Sequence, residues 1–354
     1  MSNVATSTIS KKRIIHCTRK EDTLATAALD IIYPGIFSTI QDFGRKGYLA
    51  DGIPPSGAMD NFALRMGNLL LKNPIGEAGI EMTGIGLKAK IVQHSIISIT
   101  GAEVEAKLNE KAVPLWHAIE VNPGDSLNIG AVRSGFRCYL CIAGGVDVPL
   151  FLGSKSTYVM GKLGGIRGRA LRRGDMINSG LTPVSLEKLK GRRVKESLIT
   201  EYKDAKDIFE LRVVLGPQDD HVKDDSLATF LNSNYQTSIH CNRVGYRFEG
   251  PQLFFKERQK AKEAGSDPSN IVDDANSIGA IQVPGGKEPI CLGPDGVSMG
   301  GYVKIACLIK ADMDKMAQIP TKALVRFKNV NVEQARQILI NSLERVKEEN
   351  IIME

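Results

Sequence analysis

Short apolar runs separated by turn residues fill the chain from Leu29 to Phe327. Ile96 to Thr100 and Val104 to Leu108 are two such runs, and turn clusters such as Asn122-Pro123-Gly124-Asp125 separate others. Glycine, which permits tight turns, makes up 35 of 354 residues, compared with a usual share of about 7%. This pattern is typical of many short strands joined by turns. It predicts a mainly β chain with a few helices, of the α+β class.

Individual strands can be assigned from these runs. The runs Ile96 to Thr100 and Val104 to Leu108 predict successive strands. Ile119 to Val121 and Ser126 to Ile129 flank a Pro-Gly turn and predict a hairpin. Arg137 to Ala143 is almost wholly apolar and predicts a buried strand.

Two segments have helical spacing instead. One face of the first would carry Met59, Phe62, Ala63, Met66, Leu69 and Leu70. Asn73-Pro74 should stop that helix, because proline cannot donate the next helical hydrogen bond. The second begins at Val332, where Asn331 and Gln334 are spaced to form a capping box. Its inward stripe would be Ala335, Ile338, Leu339, Leu343 and Val346.

Charge marks the domain boundaries. More than half of the residues between Glu187 and Glu210 are charged, which predicts an exposed link between two lobes. We therefore divide the chain into a flexible extension (1–28), an N-terminal β-rich lobe (29–185), a charged linker (186–209), a C-terminal lobe (210–330) and a C-terminal helix (331–354).

Charge and composition also limit the classes of partner. A net charge of +6 over this length does not require nucleic acid. No apolar run reaches the ~18 residues of a membrane span, and no secretory signal precedes the first strand. The six cysteines are scattered, as in a reducing compartment. These features predict a soluble cytoplasmic protein with neither a nucleic-acid nor a membrane partner.

The Cys138-x-x-Cys141 pair has the spacing of zinc and redox motifs. On a strand, residues three apart point to opposite faces, so the two sulfur atoms should diverge. The five histidines show no paired spacing that would complete a metal site. We predict two small buried side chains and no metal centre.

Three polar loops are candidates for chemistry. Gly161 to Arg173 combines glycines with five cations, including Arg167 and Arg169, and would suit a phosphate or carboxylate. Equally, its arginines could be solvated or hold neighbouring carboxylates. Ser38 to Arg45 gathers Gln41, Asp42 and Arg45 beside tight turns. Here the alternative is a purely stabilising pair of Asp42 with Arg45.

The third group combines Asn242-Arg243 with Asp295 in Gly293-Pro294-Asp295-Gly296. Each of these segments alone is consistent with ordinary turn chemistry. Taken together, the three loops are stronger candidates for a functional site than any one of them alone.

These loops also carry a family resemblance. Gly35 to Tyr48, followed by Gly52-Ile-Pro-Pro-Ser-Gly-Ala-Met-Asp60, resembles the opening signature of the biotin-dependent carboxyltransferase family. That family includes allophanate hydrolase subunit 2, the C subunit of 5-oxoprolinase and the matching segment of urea carboxylase. The resemblance spans about residues 29 to 327 and continues in Gly161 to Asp175, Asn242 to Pro251, Gly279 to Pro284 and Gly300 to Ala306.

The resemblance implies a cyclophilin-like β-barrel architecture and a multi-subunit enzyme. It implies ATP-coupled opening of 5-oxo-L-proline to L-glutamate, with a B-type partner subunit and a third, lactam-binding subunit. The chain has no P-loop, so ATP would act through the complex. It also has no Met-Lys-Met biotinylation tripeptide, so biotin would enter only on a partner protein. Ser298 and Met299 stand where family members often carry two threonines, a departure in the substrate loop.

Two other functions remain open on the sequence alone. One is the carboxyltransferase component of a urea carboxylase or allophanate system that uses carboxybiotin from a partner. The other is a non-catalytic regulatory module that antagonises a kinase inhibitor. For the leading hypothesis, a hydrolase of cyclic amides, the catalytic candidates are Asp42, Arg45, Asn242 and Arg243. The candidates for substrate or anion binding are Gln41, Asp60, Arg167, Arg169, Asp295 and Lys304.

Arg243 allows the sharpest expectation. If its role were structural, it should form an exposed pair with a carboxylate such as Glu249, worth about 0–1 kcal/mol. If it faced substrate, Arg243→Lys should leave thermal stability near normal and lower turnover at least ~10-fold, because lysine lacks the planar fork.

Overall fold

The computed structural model describes residues 26–199, 207–258 and 265–353. Of the predicted flexible extension, residues 1–25 lie outside this range and 26–28 open the first strand. Residues 26–179, which we call the first lobe, contain β1 (Thr26–Tyr33), β2 (Phe37–Gln41), α1 (Asn61–Leu70), β3 (Gly79–Thr83), β4 (Lys88–Ile91), β5 (Ser95–Leu108), β6 (Lys111–Ala112), β7 (Ala118–Val121), β8 (Ser126–Ile142), β9 (Val146–Asp147) and β10 (Met176–Ser179).

These strands form one ten-stranded sheet. Seven of them follow the order β2-β3-β8-β4-β1-β10-β9; β5 pairs with β8, and β6 and β7 each pair with β5. The two predicted strands within 96–108 are a single strand, β5, which continues through Gly101 in a left-handed conformation (φ 91°) and three register shifts. The predicted hairpin at 119–129 is wrong. Both β7 and β8 pair with β5 and not with each other, because the long, irregular β5 offers pairing positions to both.

Helix α1 confirms the predicted helical spacing for Phe62, Ala63, Met66 and Leu70, which are buried. Met59 precedes the helix and packs in the core of the second lobe, and Leu69 is only half-buried, so these two residues do not belong to the predicted face. The buried face of α1 packs on the sheet, where Gly67 approaches Cys141 so closely that a β-carbon would lie 2.8 Å from its sulfur. The predicted burial and divergence of the two cysteine side chains are also confirmed. Cys138 belongs to one apolar core and Cys141 to another, which includes the buried face of α1.

The second lobe, residues 208–329, is a closed β-barrel, as the fold prediction required. This lobe contains β12 (Ile208–Leu215), α2 (Asp224–Asn232), β13 (Tyr235–Thr237), β14 (Gly245–Glu249), β15 (Asn270–Ala275), β16 (Ala280–Gln282), β17 (Ile290–Leu292), β18 (Met299–Tyr302), β19 (Lys304–Leu308), α3 (Met313–Ala317) and β20 (Leu324–Asn329). The barrel order is β12-β19-β16-β17-β14-β13-β20, while β15 and β18 pair antiparallel in a separate two-stranded sheet. Phe230 stacks on Phe327 in its core at 4.6 Å between ring centroids.

The segment predicted as an exposed link is partly built into the first lobe. Strand β11 (Arg192–Val194) pairs with β21 (Ile351–Met353), and Val194 is buried. Arg192 donates to the carbonyl oxygens of Leu69 and Leu70 at the end of α1 (2.9 and 2.8 Å). Charged residues alternate with apolar ones in this segment, so a prediction from charge content alone overestimated how much of it is exposed to solvent. Residues 200–206 lie outside the described part.

The C-terminal helix, α4 (Val332–Glu344), begins at the predicted capping box. Asn331 Oδ1 accepts from the Gln334 backbone N–H, and Gln334 Oε1 accepts from that of Asn331. The predicted inward stripe is only half-buried, and Leu343 is exposed. The helix ends ten residues before the predicted boundary, and β21 follows it. Among the described helices, none is long and apolar enough to span a membrane.

Candidate functional site between the two lobes

Arg243, just before β14, reaches from the barrel into the first lobe. Its Nε and Nη2 atoms donate to both carboxylate oxygens of Asp295 (2.9 and 3.0 Å). Its Nη1 atom donates to Glu81 Oε1 (2.6 Å), and Nη2 also donates to the Gly57 carbonyl oxygen (2.7 Å). Only 4% of Arg243 is exposed. The expectation of an exposed pair with Glu249 is therefore wrong, since Glu249 pairs with Lys322.

Glu81 is the first-lobe partner in this ion network. It lies on β3, and its Oε2 atom accepts from the Met59 backbone N–H (2.8 Å) and the Tyr139 hydroxyl (2.7 Å). Burial alone would raise the pKa of Glu81, but Arg243 and Arg137 outweigh burial and hold that pKa below its ordinary value. Glu81 is therefore a buried anion in the folded state.

Arg137 and Gln318 complete the connection between the lobes. Arg137 Nη1 donates to the Tyr246 hydroxyl and to the Ala317 carbonyl oxygen (both 2.6 Å). Gln318 Oε1 accepts from the Arg137 backbone N–H (3.0 Å), and its Nε2 atom donates to Asp60 Oδ2 (2.6 Å). No motif in the sequence marks Glu81, Arg137, Tyr139 or Gln318 as site residues. The available signal was a charged side chain within an otherwise apolar strand, as at Glu81 and Arg137.

Asp42 organises the neighbouring loops. Its Oδ1 atom accepts from the Gly44 N–H (2.7 Å) and the hydroxyls of Ser154 (2.7 Å) and Ser156 (2.5 Å). Its Oδ2 atom accepts from the Lys155 N–H (2.7 Å). Asp42 thus holds the 154–156 segment against the 41–45 loop, and no direct ion pair with Arg45 appears among the described contacts. The carboxylate of Asp42 therefore shapes the site by holding two loops together, and both of its oxygen atoms already accept hydrogen bonds.

Arg45 has more unused hydrogen-bonding capacity than Arg243 or Arg137, the cations of the ion network. It is 1% exposed and donates through Nη2 to the Ser156 carbonyl oxygen. Its Nε and Nη1 atoms, and the hydroxyls of Ser56 and Thr157, are buried without hydrogen-bond partners among the described residues. Burial lowers the pKa of Arg45, while the carboxylates of Asp42 and Asp295 oppose that effect. A guanidinium with two unsatisfied donors is suited to an anion or to a developing oxyanion.

The glycine loop following Lys162 gives Arg45 its space. A β-carbon on Gly164 would lie 2.7 Å from Arg45 Nη2 and would overlap the Ser156 carbonyl oxygen. Gly164 also has φ +64°, in the left-handed region that glycine tolerates best. Only a residue without a β-carbon fits between Arg45 and the 154–156 segment.

We predict that Gly164→Ala destabilises the protein by about 2 kcal/mol, because it combines left-handed strain with overpacking. Gly174→Ala is the matched control. Gly174 has φ +83° and no atom within 4 Å of the added carbon, so it should cost only about 1 kcal/mol. Urea denaturation of both variants measures the difference, and equal losses would contradict the steric argument.

The structure brings some of the predicted site residues together and separates others. Gln41 is buried beside this site, donating to the Thr157 carbonyl oxygen (3.1 Å) and accepting from the Gly57 N–H (3.1 Å). Asp295 and Arg243 are central, and Asp60 lies at the far end of the ion network.

Four candidates lie elsewhere. Asn242 turns back to accept from the Val244 N–H (2.8 Å), so its side chain stabilises a turn. Arg167 is exposed, and Arg169 forms a bidentate pair with Asp175 (2.7 Å). Lys304 pairs with Asp274 of β15 (2.7 Å). These side chains either bond to nearby residues or are exposed, and they do not point towards Arg45.

Asp60 and Asp314 form a second feature of the interface. Asp60 caps α1 by accepting from the Ala63 N–H (2.9 Å), and Asp314 accepts from the Asn61 N–H (2.8 Å). Burial raises the pKa of both carboxyl groups, and the mutual repulsion of Asp60 and Asp314 raises that of Asp314 further. The amide groups at the N-terminus of α1 and the charge of Arg65 offset this cost only in part.

This pair should make stability fall as pH rises. An unfolded Asp titrates near pH 3.9, whereas in the folded state the pKa of Asp314 is raised to about 8. Within that window the folded state holds more protons than the unfolded state, so the free energy of unfolding decreases with pH. Asp314→Asn should reduce this decrease by about 1 kcal/mol or more, measured by denaturation across the window. Parallel pH profiles would show that Asp314 is ionised throughout.

The protein is therefore mainly β, and a buried ion network connects its open sheet to its closed barrel. The sequence model of the carboxyltransferase domain, subdomain A and B, matches residues 51–329. The chain belongs to this carboxyltransferase family, which confirms the resemblance found in its motifs.

Relatives of two kinds share the family. The chain is 33% identical over 307 residues to the C subunit of 5-oxoprolinase from Escherichia coli, covering 87% of this chain and 93% of that protein. It is 34% identical over 319 residues to urea amidolyase from Lachancea kluyveri, covering 88% of this chain but 17% of that protein. The crystal structure of Kluyveromyces lactis urea carboxylase superimposes with a TM-score of 0.85 at 30% identity, covering 94% of this chain and 31% of that one.

Proposed function

We propose that this chain is a subunit of an ATP-dependent 5-oxoprolinase assembly that converts 5-oxo-L-proline to L-glutamate. The observation that carries the proposal is Arg45, whose buried guanidinium keeps two nitrogen atoms without partners among the described residues. 5-Oxo-L-proline bears a carboxylate that such a group would bind, whereas urea bears none. The named C subunits of 5-oxoprolinase also match this chain over nearly their whole length.

The chemistry assigns separate tasks to the residues. Arg45 would bind and orient the anion, with the hydroxyls of Ser56 and Thr157 as further hydrogen-bond partners. Asp42 would keep the loop rigid, so that little reorganisation accompanies binding. ATP, held by the assembly, would supply the phosphoryl group that activates the unreactive lactam carbonyl. Arg243 would hold the two lobes in register around the site.

Reconstitution tests the proposal. The chain is purified with a B-type subunit and a lactam-binding subunit from the same source, and L-glutamate release from 5-oxo-L-proline is measured with and without ATP. We expect ATP-dependent release that requires all the subunits, with 2-pyrrolidinone, which lacks the carboxylate, a poor substrate. Absence of activity in every combination would overturn the proposal.

The likeness to urea carboxylase supports a second candidate, a carboxyltransferase component that receives carboxybiotin from a partner. The supporting observation is the TM-score of 0.85 over 94% of this chain. An avidin pull-down from the source cells distinguishes the two candidates. Co-purification of this chain with a biotinylated protein would favour the carboxyltransferase function.

A further inference from the structure

A cavity of about 670 Å³ lies where the two lobes meet α4, and Arg45 is not among the residues that line it. Its apolar walls come from Phe62, Phe209 and Ile338. Its polar lining includes both carboxyl groups of the Asp60–Asp314 pair, and Arg345 from the turn after α4. The cavity is large enough for a small organic ligand.

Most charges around this cavity are already matched. Arg212 forms a bidentate pair with Asp312 (3.0 and 2.5 Å). Lys315 Nζ donates to the Glu210 carbonyl oxygen (3.0 Å) and lies 3.7 Å from Asp312. The carboxylates of Asp312 and Glu210 both act on Lys315, so the two cations and two carboxylates of this group leave little net charge for a ligand.

Two sets of charged groups are not matched. Neither Asp60 nor Asp314 has a cation within ion-pair distance among the described residues, and burial has raised the pKa of both. Arg345 has no carboxylate partner in the described part of the chain, and it donates through Nη2 to the Leu198 carbonyl oxygen (2.9 Å). A bound ammonium group would relieve the repulsion between the carboxyl groups, and a bound carboxylate would pair with the guanidinium.

Phe62 links the two unmatched sets. The carboxyl groups surround the first turn of α1, where Phe62 is the second helical residue. The guanidinium carbon of Arg345 lies 4.3 Å from the centroid of the Phe62 ring. The opposite charges are therefore separated by about one side chain and have an apolar surface between them.

We propose that this cavity is a binding site for a free α-amino acid with an apolar side chain. The Asp60–Asp314 pair would bind its ammonium group, Arg345 its carboxylate, and Phe209 and Ile338 its side chain. This proposal concerns a site separate from Arg45 and does not require the chain to have 5-oxoprolinase activity.

The test is direct binding to the full chain without partner subunits, measured by isothermal titration calorimetry. L-Phenylalanine is compared with 2-phenylethylamine, which lacks the carboxylate, and 3-phenylpropanoate, which lacks the ammonium group. We expect L-phenylalanine to bind at least ~10-fold more tightly than either analogue. No binding of L-phenylalanine, or equal binding of all three, would overturn the proposal.

Variants then assign the contacts. Arg345→Met retains an aliphatic stem over Phe62 and should weaken L-phenylalanine binding at least ~10-fold, and Asp314→Asn should do the same. Arg336→Met, on the exposed face of α4, is the matched control and should bind as the wild type does. Wild-type affinity in both cavity variants would place the ligand elsewhere and refute the assignment.

Discussion

Replacing Arg243 with alanine should cost the protein about 3–5 kcal/mol of its free energy of unfolding. The variant removes the cation that Glu81 and Asp295 share, and both carboxylates are nearly inaccessible to solvent. It also removes hydrogen bonds that cross from the barrel to the first lobe. Denaturation in urea measures the loss. A loss of this size is a large part of a domain's total free energy of unfolding, so we also expect a fraction of the variant to be unfolded at room temperature.

Arg247→Ala is the matched control, four residues further along the same segment. Arg247 pairs with Glu288 at 3.0 Å, but 44% of its side chain is exposed, so the loss should be about 0–1 kcal/mol. The contacts of Arg243 also revise the expectation for Arg243→Lys. Lysine cannot reproduce three simultaneous partners, so this variant should lose stability as well as activity. Similar small losses in Arg243→Ala and Arg247→Ala would contradict a structural role for the ion network.

Arg45→Lys should lower turnover of 5-oxo-L-proline by about 100-fold in the reconstituted assembly, equivalent to about 2.7 kcal/mol of transition-state stabilisation. Lysine retains the charge but has no planar set of donors, so it cannot offer the two nitrogen atoms that Arg45 leaves without partners among the described residues. Steady-state kinetics with 5-oxo-L-proline measures the change.

Arg167→Lys, in the exposed part of the glycine loop, is the corresponding control and should change turnover less than about twofold. The comparison with 2-pyrrolidinone adds a second readout. If Arg45 binds the carboxylate, Arg45→Lys should reduce the preference for 5-oxo-L-proline over 2-pyrrolidinone. An unchanged preference with full turnover would assign Arg45 to the scaffold.

The sequence was informative where a structural feature depends on near neighbours. Helix α1 follows from apolar spacing, the cap of α4 from Asn331 and Gln334, and the divergence of Cys138 and Cys141 from strand geometry. Each of these features is determined by residues within a few positions of one another.

Features that depend on distant partners were not predictable. Arg243 and Glu81 are 162 positions apart in the chain, and no local pattern pairs them. Asn242 and Arg243 are adjacent, yet one side chain folds back onto its own turn and the other enters the lobe interface. The motif drew attention to both residues, but only the fold separates the residue that faces inward from the residue that stabilises the turn.

The pairing of β11 with β21 has a consequence for the order of folding. Strand β11 precedes the barrel in the chain and β21 follows it, so the complete barrel is inserted between two strands that must meet. During synthesis, β11 can bond to the first lobe, where the Val194 N–H donates to the Trp116 carbonyl oxygen, but it can pair with β21 only after residues 351–353 have left the ribosome. The ion pair of Arg192 with Glu348 must likewise wait for the C-terminal segment. Closing so long a loop is entropically costly, which favours an independently folded barrel that brings its own ends together first. The folded barrel would then hold β11 and β21 close together, so that the edge of the first lobe is completed last.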